Sequence, residues 1–318
     1  MRILTGIQPS GRLHWGNYFG AMKSMFDLQA KGEDMFMFIA NFHAMTTVRD
    51  GAALREATRE VALDYLACGL DPAKTTVYSQ SDVPEVQELA WYLSCLTPMG
   101  LLERCHSYKD KMARGFEATH GLFAYPVLMA ADILIMNSDL VPVGKDQKQH
   151  LEVTRDLCQK FNNAFGEIFK LPDAYIPDSV ATIPGTDGQK MSKSYHNTIE
   201  LFDPSAKKKV MGIVTDSTPM EEPKEPEGNS IYELYKLFAT PEEVAEMAAE
   251  FRAGGYGYGS AKKALLAAYH RLFDPFAARR AELAKDPDAL EDILREGAKK
   301  ARAAAAVQME KVRAAVGL

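Results

Sequence analysis

Residues 2–40 read RILTGIQPSGRLHWGNYFGAMKSMFDLQAKGEDMFMFIA, and this stretch decides the fold class. Arg2–Ile7 is a short apolar run that stops at Gln8-Pro9-Ser10-Gly11, a cluster of turn formers. Beyond it Tyr18, Met22, Met25 and Phe26 recur at helical spacing. A second apolar run, Met35 to Ala40, follows Lys31-Gly32. Strand, loop, helix and strand in so short a span make a βαβ unit, whose crossover helix requires the two strands to be parallel.

The same alternation continues outward. Residues 52–67 read as a helix, Thr76–Ser79 and Asp139–Val143 as strands, and Asp146–Phe161 as an amphipathic helix. Texture changes after residue 185. Pro184-Gly185-Thr186-Asp187-Gly188 reads as a flexible loop, and Asp203-Pro204 as a helix start with Pro in the first turn. Residues 216–229, rich in Pro and Glu, read as an exposed connection, and from Ser230 onward no strand pattern occurs. The expectation is an α/β chain: a Rossmann-like parallel-sheet catalytic domain over 1–185, followed by an all-helical domain over 186–318.

Composition narrows the class further. Hydrophobic residues make up 47% and charged residues 25% of the 318, the balance of a soluble globular protein. The 37 basic and 43 acidic residues leave a net charge of −6, so any nucleic-acid contact must come from a local basic surface. Cys68, Cys95, Cys105 and Cys158 form no metal-ligand spacing, so no structural metal is expected. They read as small buried hydrophobes in a reducing compartment. With no signal core and no run of membrane-spanning length, the chain is expected in the cytoplasm, without a membrane or DNA partner.

Two segments carry charge chemistry. The loop Gln8–Asn17 sits between the first strand and the first helix, where parallel sheets bind nucleotides. Gly16 lets backbone approach a phosphate, and His14 can donate to a phosphate oxygen. A loop histidine is ordinarily plain surface; its place in this strand–loop–helix context sets it apart. Lys190-Met191-Ser192-Lys193-Ser194 lies on the loop after residue 184. Two lysines and two hydroxyls on such a loop suit a pyrophosphate leaving group, although an exposed basic loop is the commoner meaning of nearby lysines.

A third segment suggests what is recognised. Tyr125, Met129 and Asp132, at i, i+4 and i+7, share one face of a helix expected to begin at Pro126. A phenol, a thioether and one carboxylate suit an indole, whose nitrogen only donates, although a core helix with a half-buried Asp would read the same way. Downstream, Val141 and Val143 point to one side of a strand, Gly144 allows a tight exit, and Gln147 opens the next helix facing inward with His150.

These segments together carry a family resemblance. His14-Trp15-Gly16-Asn17 resembles the HIGH signature of class I aminoacyl-tRNA synthetases, and KMSKS at 190–194 is the other signature verbatim. The departures from HIGH are Trp15 and Asn17, and Asn in that place is common in the tryptophan- and tyrosine-specific subgroup. Val141–His150 (VPVGKDQKQH) is similar to the matching segment of bacterial-type tryptophanyl-tRNA synthetases, and TGIQPSG, NFHAMT and MAADIL fall in family order over nearly the whole chain.

The resemblance implies a catalytic set of His14, Asn17, Lys190 and Lys193. It implies an ATP site of Gln8, Pro9, Ser10, Gly16, Asn17, Gly144, Lys145, Asp146 and Ile183 with Lys190, Met191, Ser192, Lys193 and Ser194. His43, Tyr125, Met129, Asp132, Val141, Val143 and Gln147 would line a tryptophan pocket, and Lys111 would add a phosphate contact. It further implies ATP as its Mg2+ complex, L-tryptophan and tRNA(Trp) as partners, and a homodimer. Tyrosine is the competing specificity, but the tyrosine enzymes carry Gln and Tyr where this helix has Met129 and Ala131. A smaller nucleotidyltransferase and a non-catalytic tRNA-binding paralogue are the other readings; the chain length and KMSKS speak against the first, and the intact signature residues against the second.

Basic clusters at Lys207-Lys208-Lys209, Lys262-Lys263, Arg279-Arg280 and Lys299-Lys300-Arg302 are candidate phosphate contacts, each more commonly a solvated helix face. Gly254–Gly259 (GGYGYG) follows no strand, so it reads as a hinge before a helix capped by Ser260. Anticodon recognition by the helical domain is implied by the resemblance alone.

Overall fold

Five parallel strands, β1 (Arg2–Ile7), β2 (Asp34–Ile39), β3 (Thr75–Ser79), β4 (Leu140–Pro142) and β5 (Asp173–Tyr175), form one sheet in the order β3-β2-β1-β4-β5. The coordinates are a computed structural model that describes residues 1–113, 115, 117, 119–144, 147–175 and 183–318, with backbone only at 106, 107, 110 and 111. Five of the six β2 residues are buried, as expected of a strand covered on both faces. Strand order reverses between β1 and β4, which opens a crevice outside their carboxyl ends. The fold is thus α/β and Rossmann-like, with helices following the sheet.

Two helices of the sheet unit start where a side chain satisfies their first N–H groups. Asp50 accepts from Ala52 and Ala53 at the head of Gly51–Cys68, and Thr119 accepts from Leu122 at the head of His120–Ile135. The latter helix therefore does not begin at Pro126, which lies inside it. Proline there leaves the Leu122 carbonyl without its i+4 donor, but Thr119 supplies the start and the buried ring compensates. The next helix spans Lys148–Phe165; its expected start, Asp146, lies outside the described residues, and β4 is shorter than Asp139–Val143.

The C-terminal helix, Pro287–Val316, packs along β3. A Cβ added at Gly297 would stand 1.7 Å from the Val77 carbonyl oxygen, so only glycine permits this approach. The helix covers the edge strand with small residues, among them Ala298, Ala301 and Ala305. By proximity the chain divides into a sheet unit, Met1–Gly11, Met25–Pro177 and Asp286–Leu318, and a helical unit, Arg12–Ser24 and Asp178–Lys285. This division differs from a linear cut at residue 185, since residues 12–24 group with the helices and 286–318 with the sheet.

The helical unit has an aromatic core. Trp15, fully buried, meets Phe238 edge-on at 4.8 Å and Tyr269 at 5.2 Å, while Tyr18 meets Phe273 at 5.0 Å. Its helices include Ala206–Met211, Ser230–Phe238, Pro241–Ala253 and Tyr258–Leu283. Two expected starts are displaced. Gly257, not Ser260, caps Tyr258–Leu283, because its carbonyl receives the Ser260 and Ala261 N–H groups. The helix after Asp203-Pro204 begins at Ala206, with Asp203 accepting from the Ser205 amide and hydroxyl.

Residues 216–229 are mostly exposed, as expected, but Lys224 is buried and its ammonium donates to the carbonyls of Pro219, Met220 and Glu222, which pins the connection. Cys68, Cys105 and Cys158 are buried, but Cys95 is exposed. Among the described residues no helix is long and apolar enough to cross a membrane.

Candidate functional site

The sheet unit holds a cavity of about 290 Å³ at the carboxyl ends of its strands. Gly6 and Gln8 contribute from the end of β1, Phe38 and Ala40 from β2, and Val141, Pro142 and Val143 from β4. His43, Thr46, Tyr125, Met129, Ile133, Gln147 and His150 close it. Of the residues expected in a tryptophan pocket, His43, Tyr125, Met129, Val141, Val143 and Gln147 are brought together here, and Gln8 joins them. Its volume is at the small end for ligand cavities, sized for an amino acid rather than a dinucleotide. A Cβ added at Gly6 would lie 2.5 Å from the Phe38 ring, so any larger residue there would push that ring out of place. The Tyr125 hydroxyl and His150 Nε2 share a hydrogen bond of 2.8 Å on one wall.

Asp132 stands apart from this lining. It is buried, both its oxygens accept from Gln80 Nε2 at 2.8 and 2.9 Å, and Oδ2 is 2.9 Å from His43 Nε2. Burial pushes its carboxyl upward, against the opposing pull of the His43 and Gln80 hydrogen bonds. Gln80 Oε1 in turn accepts from the Phe42 amide at 3.0 Å. Asp132 and Gln80 thus orient His43, which lines the cavity. Sequence reasoning missed Gln80; its signal was a polar residue placed directly after the buried strand TTVYS.

The helical unit brings the two signature segments together. The Trp15 backbone amide donates to the Ile199 carbonyl and the Leu201 amide to Leu13, so His14 pairs with Glu200 across a short antiparallel bridge. The Asn17 side chain accepts from the His14 amide at 3.0 Å. Gly16 seats the imidazole, since a Cβ there would come within 2.9 Å of His14 Nδ1. That nitrogen is buried and has no hydrogen-bond partner among the described residues. Burial first, and the Lys193 charge second, bring His14 down to about 4. At neutral pH the ring is therefore uncharged and able to donate from one nitrogen.

A pH consequence follows from the sign of that shift. Between pH 6.5 and about 4 the unfolded chain takes up a proton that folded His14 refuses, so stability falls as pH drops through this window. From pH 7 to pH 4.5 the loss is on the order of 2 kcal/mol. His14→Gln is expected to lose less stability than the parent over that interval, read as urea midpoints at the two pH values. Equal losses would show that His14 does not titrate as described.

The loop before and through KMSKS is a hairpin. Gly185 donates to the Gln189 carbonyl, Met191 donates to Ile183, and Gly188 turns with φ +81°. Ile183 and Met191 are buried, so these two members of the expected ATP set anchor the loop, while Lys190 and Ser194 are exposed. Ser192 and Ser194 share a hydroxyl–hydroxyl hydrogen bond of 2.8 Å. The expected ATP residues Gln8, Pro9, Ser10 and Gly144 belong to the sheet unit; Gly16, Asn17, Ile183 and 190–194 belong to the helical unit. Lys145, Asp146 and the Lys111 side chain lie outside the described residues.

The basic clusters are thinner than they read. Lys262 is buried and donates to the Met211 and Ile213 carbonyls, with its amine lowered by burial. Lys209 pairs with buried Asp203 at 2.6 Å. Neither is an open phosphate contact. Arg302, on the C-terminal helix, pairs with Glu85 in the sheet unit.

A parallel sheet with a cavity at its switch point and both class I signatures define an ATP-using synthetase architecture. Residues 1–274 match the family described as tRNA synthetases class I (W and Y), and the chain belongs to that family. Within it, the tryptophan–tRNA ligase of Rhodopirellula baltica is 56% identical over 320 residues, covering 100% of both chains. That of Fusobacterium nucleatum is 55% identical over 320 residues, covering 100% of this chain and 98% of the relative. The crystal structure of tryptophanyl-tRNA synthetase from Campylobacter jejuni, complexed with ADP and tryptophan, is 51% identical with a TM-score of 0.93 over 100% of each chain.

Proposed function

We propose that this chain is a tryptophan–tRNA ligase, which activates L-tryptophan with ATP to tryptophanyl-adenylate and pyrophosphate and then transfers tryptophan to tRNA(Trp). The observation that carries this reading is the small cavity at the switch point. Met129, Ile133, Val141, Val143 and Phe38 give it an apolar slot, and His43, Tyr125, Gln147 and His150 give it a few polar groups. Met129 in place of a polar side chain favours an indole over a phenol. Charging of tRNA(Trp) with labelled tryptophan tests the reading; charging of tRNA(Tyr) with tyrosine instead would overturn it.

In the first step the tryptophan carboxylate attacks the α-phosphorus of ATP, and the bond to pyrophosphate breaks. No covalent nucleophile is needed; the protein positions the reactants and offsets developing charge. Lys190 and Lys193 neutralise charge on the departing pyrophosphate, and neutral His14 donates a hydrogen bond to a phosphate oxygen. Gln8, Pro9, Ser10, Gly16, Asn17, Gly144, Lys145, Asp146, Met191, Ser192 and Ser194 contribute to nucleotide binding. Magnesium bound with ATP would offset charge on the phosphates alongside Lys190 and Lys193. In the second step a ribose hydroxyl of the tRNA attacks the carbonyl carbon of the adenylate, forming the ester as the acyl–phosphate bond breaks and AMP leaves.

The sheet unit is the nucleotide and tryptophan domain, and the helical unit supplies the KMSKS loop and anticodon recognition. The enzyme works in the cytoplasm as a homodimer. The sheet unit presents Trp91 and Met45, 68% and 50% exposed, around a cavity of about 440 Å³, an apolar surface suited to association. Asp132→Asn turns an amide toward the Gln80 amide and leaves one donor without an acceptor. The tryptophan KM is expected to rise about tenfold or more as His43 loses its orientation. An unchanged KM and undiminished preference over phenylalanine would refute this role.

A further inference from the structure

We infer that Asn197, outside the KMSKS signature, is the positioning residue that sets where Lys190 and Lys193 stand. The inference rests on the proposed role of those lysines. Asn197 is 2% exposed although its neighbours Tyr195 and His196 are exposed. Its Nδ2 donates to Asp187 Oδ1 at 2.8 Å and to the Lys190 carbonyl at 3.0 Å, and its Oδ1 accepts from the Ser192 amide at 2.8 Å. Its own carbonyl accepts from the Thr186 amide at 3.0 Å. One buried residue therefore fastens both limbs of the hairpin, at 186–187 and at 190–192.

The geometry around it is built for this. His196 adopts the left-handed region, φ 53°, which turns the chain so that the next residue points back into the loop. A Cβ on Gly185 would lie 2.3 Å from Asn197 Nδ2, so glycine makes room for the amide. Only a short carboxamide fits the pattern of two donated and one accepted hydrogen bonds. Aspartate keeps the size but donates nothing, and it would place a second carboxylate against Asp187. Lys190 is bonded through its own carbonyl and Lys193 follows the fixed Ser192 amide directly, so both lysines inherit their place from this side chain. Displacement of about 1 Å at such groups can cost about a hundredfold in rate.

Asn197→Ala and Asn197→Asp are expected to slow single-turnover adenylate formation by about ten- to a hundredfold. The tryptophan KM and the rate of transfer from preformed adenylate to tRNA stay as in the parent. Combined with Lys193→Ala, neither adds its full factor, because the residue acts through the lysines. If the alanine variant does not fold, the aspartate variant, which keeps the volume, carries the same reading. An unaltered adenylation rate, or a deficit that multiplies fully with that of Lys193→Ala, overturns the positioning role. If Lys193→Ala itself turns over normally, the proposed site fails and this inference with it; a slow Lys193→Ala beside a normal Asn197→Ala overturns this inference alone.

Discussion

Lys193→Ala is expected to slow tryptophanyl-adenylate formation by about two to three orders of magnitude, the scale on which removal of one preorganised charge-stabilising group is felt. Lys193 opens the short 3₁₀ turn Lys193–Tyr195, and its charge is felt at His14, whose proton affinity it lowers. In the proposed mechanism a cation there would meet the negative charge that appears on pyrophosphate only as the phosphorus–oxygen bond breaks. It therefore stabilises the transition state more than the bound substrates. No residue of the 190–194 loop lines the proposed tryptophan cavity, so the tryptophan KM should be unmoved. Rapid-quench measurement of adenylate separates the two parameters. A rate equal to the parent's, or a loss confined to the tryptophan KM, would remove Lys193 from the chemistry.

The second large effect is on stability. Trp15→Ala should cost about 3–5 kcal/mol, the range for truncating a buried aromatic side chain to alanine. Trp15 is completely buried and packs between Phe238 and Tyr269, so its loss opens a hole that aromatic neighbours cannot fill without leaving their rotamers. Adenylation should fall as well, because His14 and Gly16 flank it and the bridge to 199–201 passes through its amide. Trp15→Phe should be far milder. The indole N–H is buried without a hydrogen-bond partner among the described residues, so phenylalanine sheds an unsatisfied donor while keeping an aromatic ring. Urea unfolding of the two variants checks this; equal losses would mean that aromatic packing at Trp15 is not what holds the unit.

Much of the fold was legible because its signals are local. The runs of β1 and β2 with a helical period between them specify a parallel pair wherever they occur, and the structure pairs them residue for residue from Arg2–Asp34 to Ile7–Ile39. The signature segments were legible as short strings. The grouping of the chain into units was not, because an alanine-rich helix reads alike whether it caps a sheet or joins a bundle. Contacts such as the Val77 carbonyl against Gly297 and Arg302 against Glu85 distinguish the two, and they join residues far apart in sequence. Lys262 read as half of a basic pair, yet it falls on the stripe of buried Ala261, Leu265 and Tyr269, and that spacing was the available sign that it turns inward.

The cavity lining was legible where a helix or strand period marked it, as at Tyr125 with Met129 and at Val141 with Val143. Gln80 and Asn197 were not, because a single buried amide has no period and acts through residues distant in sequence or across a turn. Asp132 shows the same limit. Its place on the helix face was readable, whereas its engagement with Gln80 and His43, away from the cavity lining, depended on two other elements.

Activation of tryptophan by this chain is read by ATP–pyrophosphate exchange with the purified protein, run in parallel with tryptophan, tyrosine and phenylalanine. Exchange is expected with tryptophan and not with the other two. Exchange supported by tyrosine would contradict the pocket assignment, and no exchange with any of the three would contradict the enzyme itself.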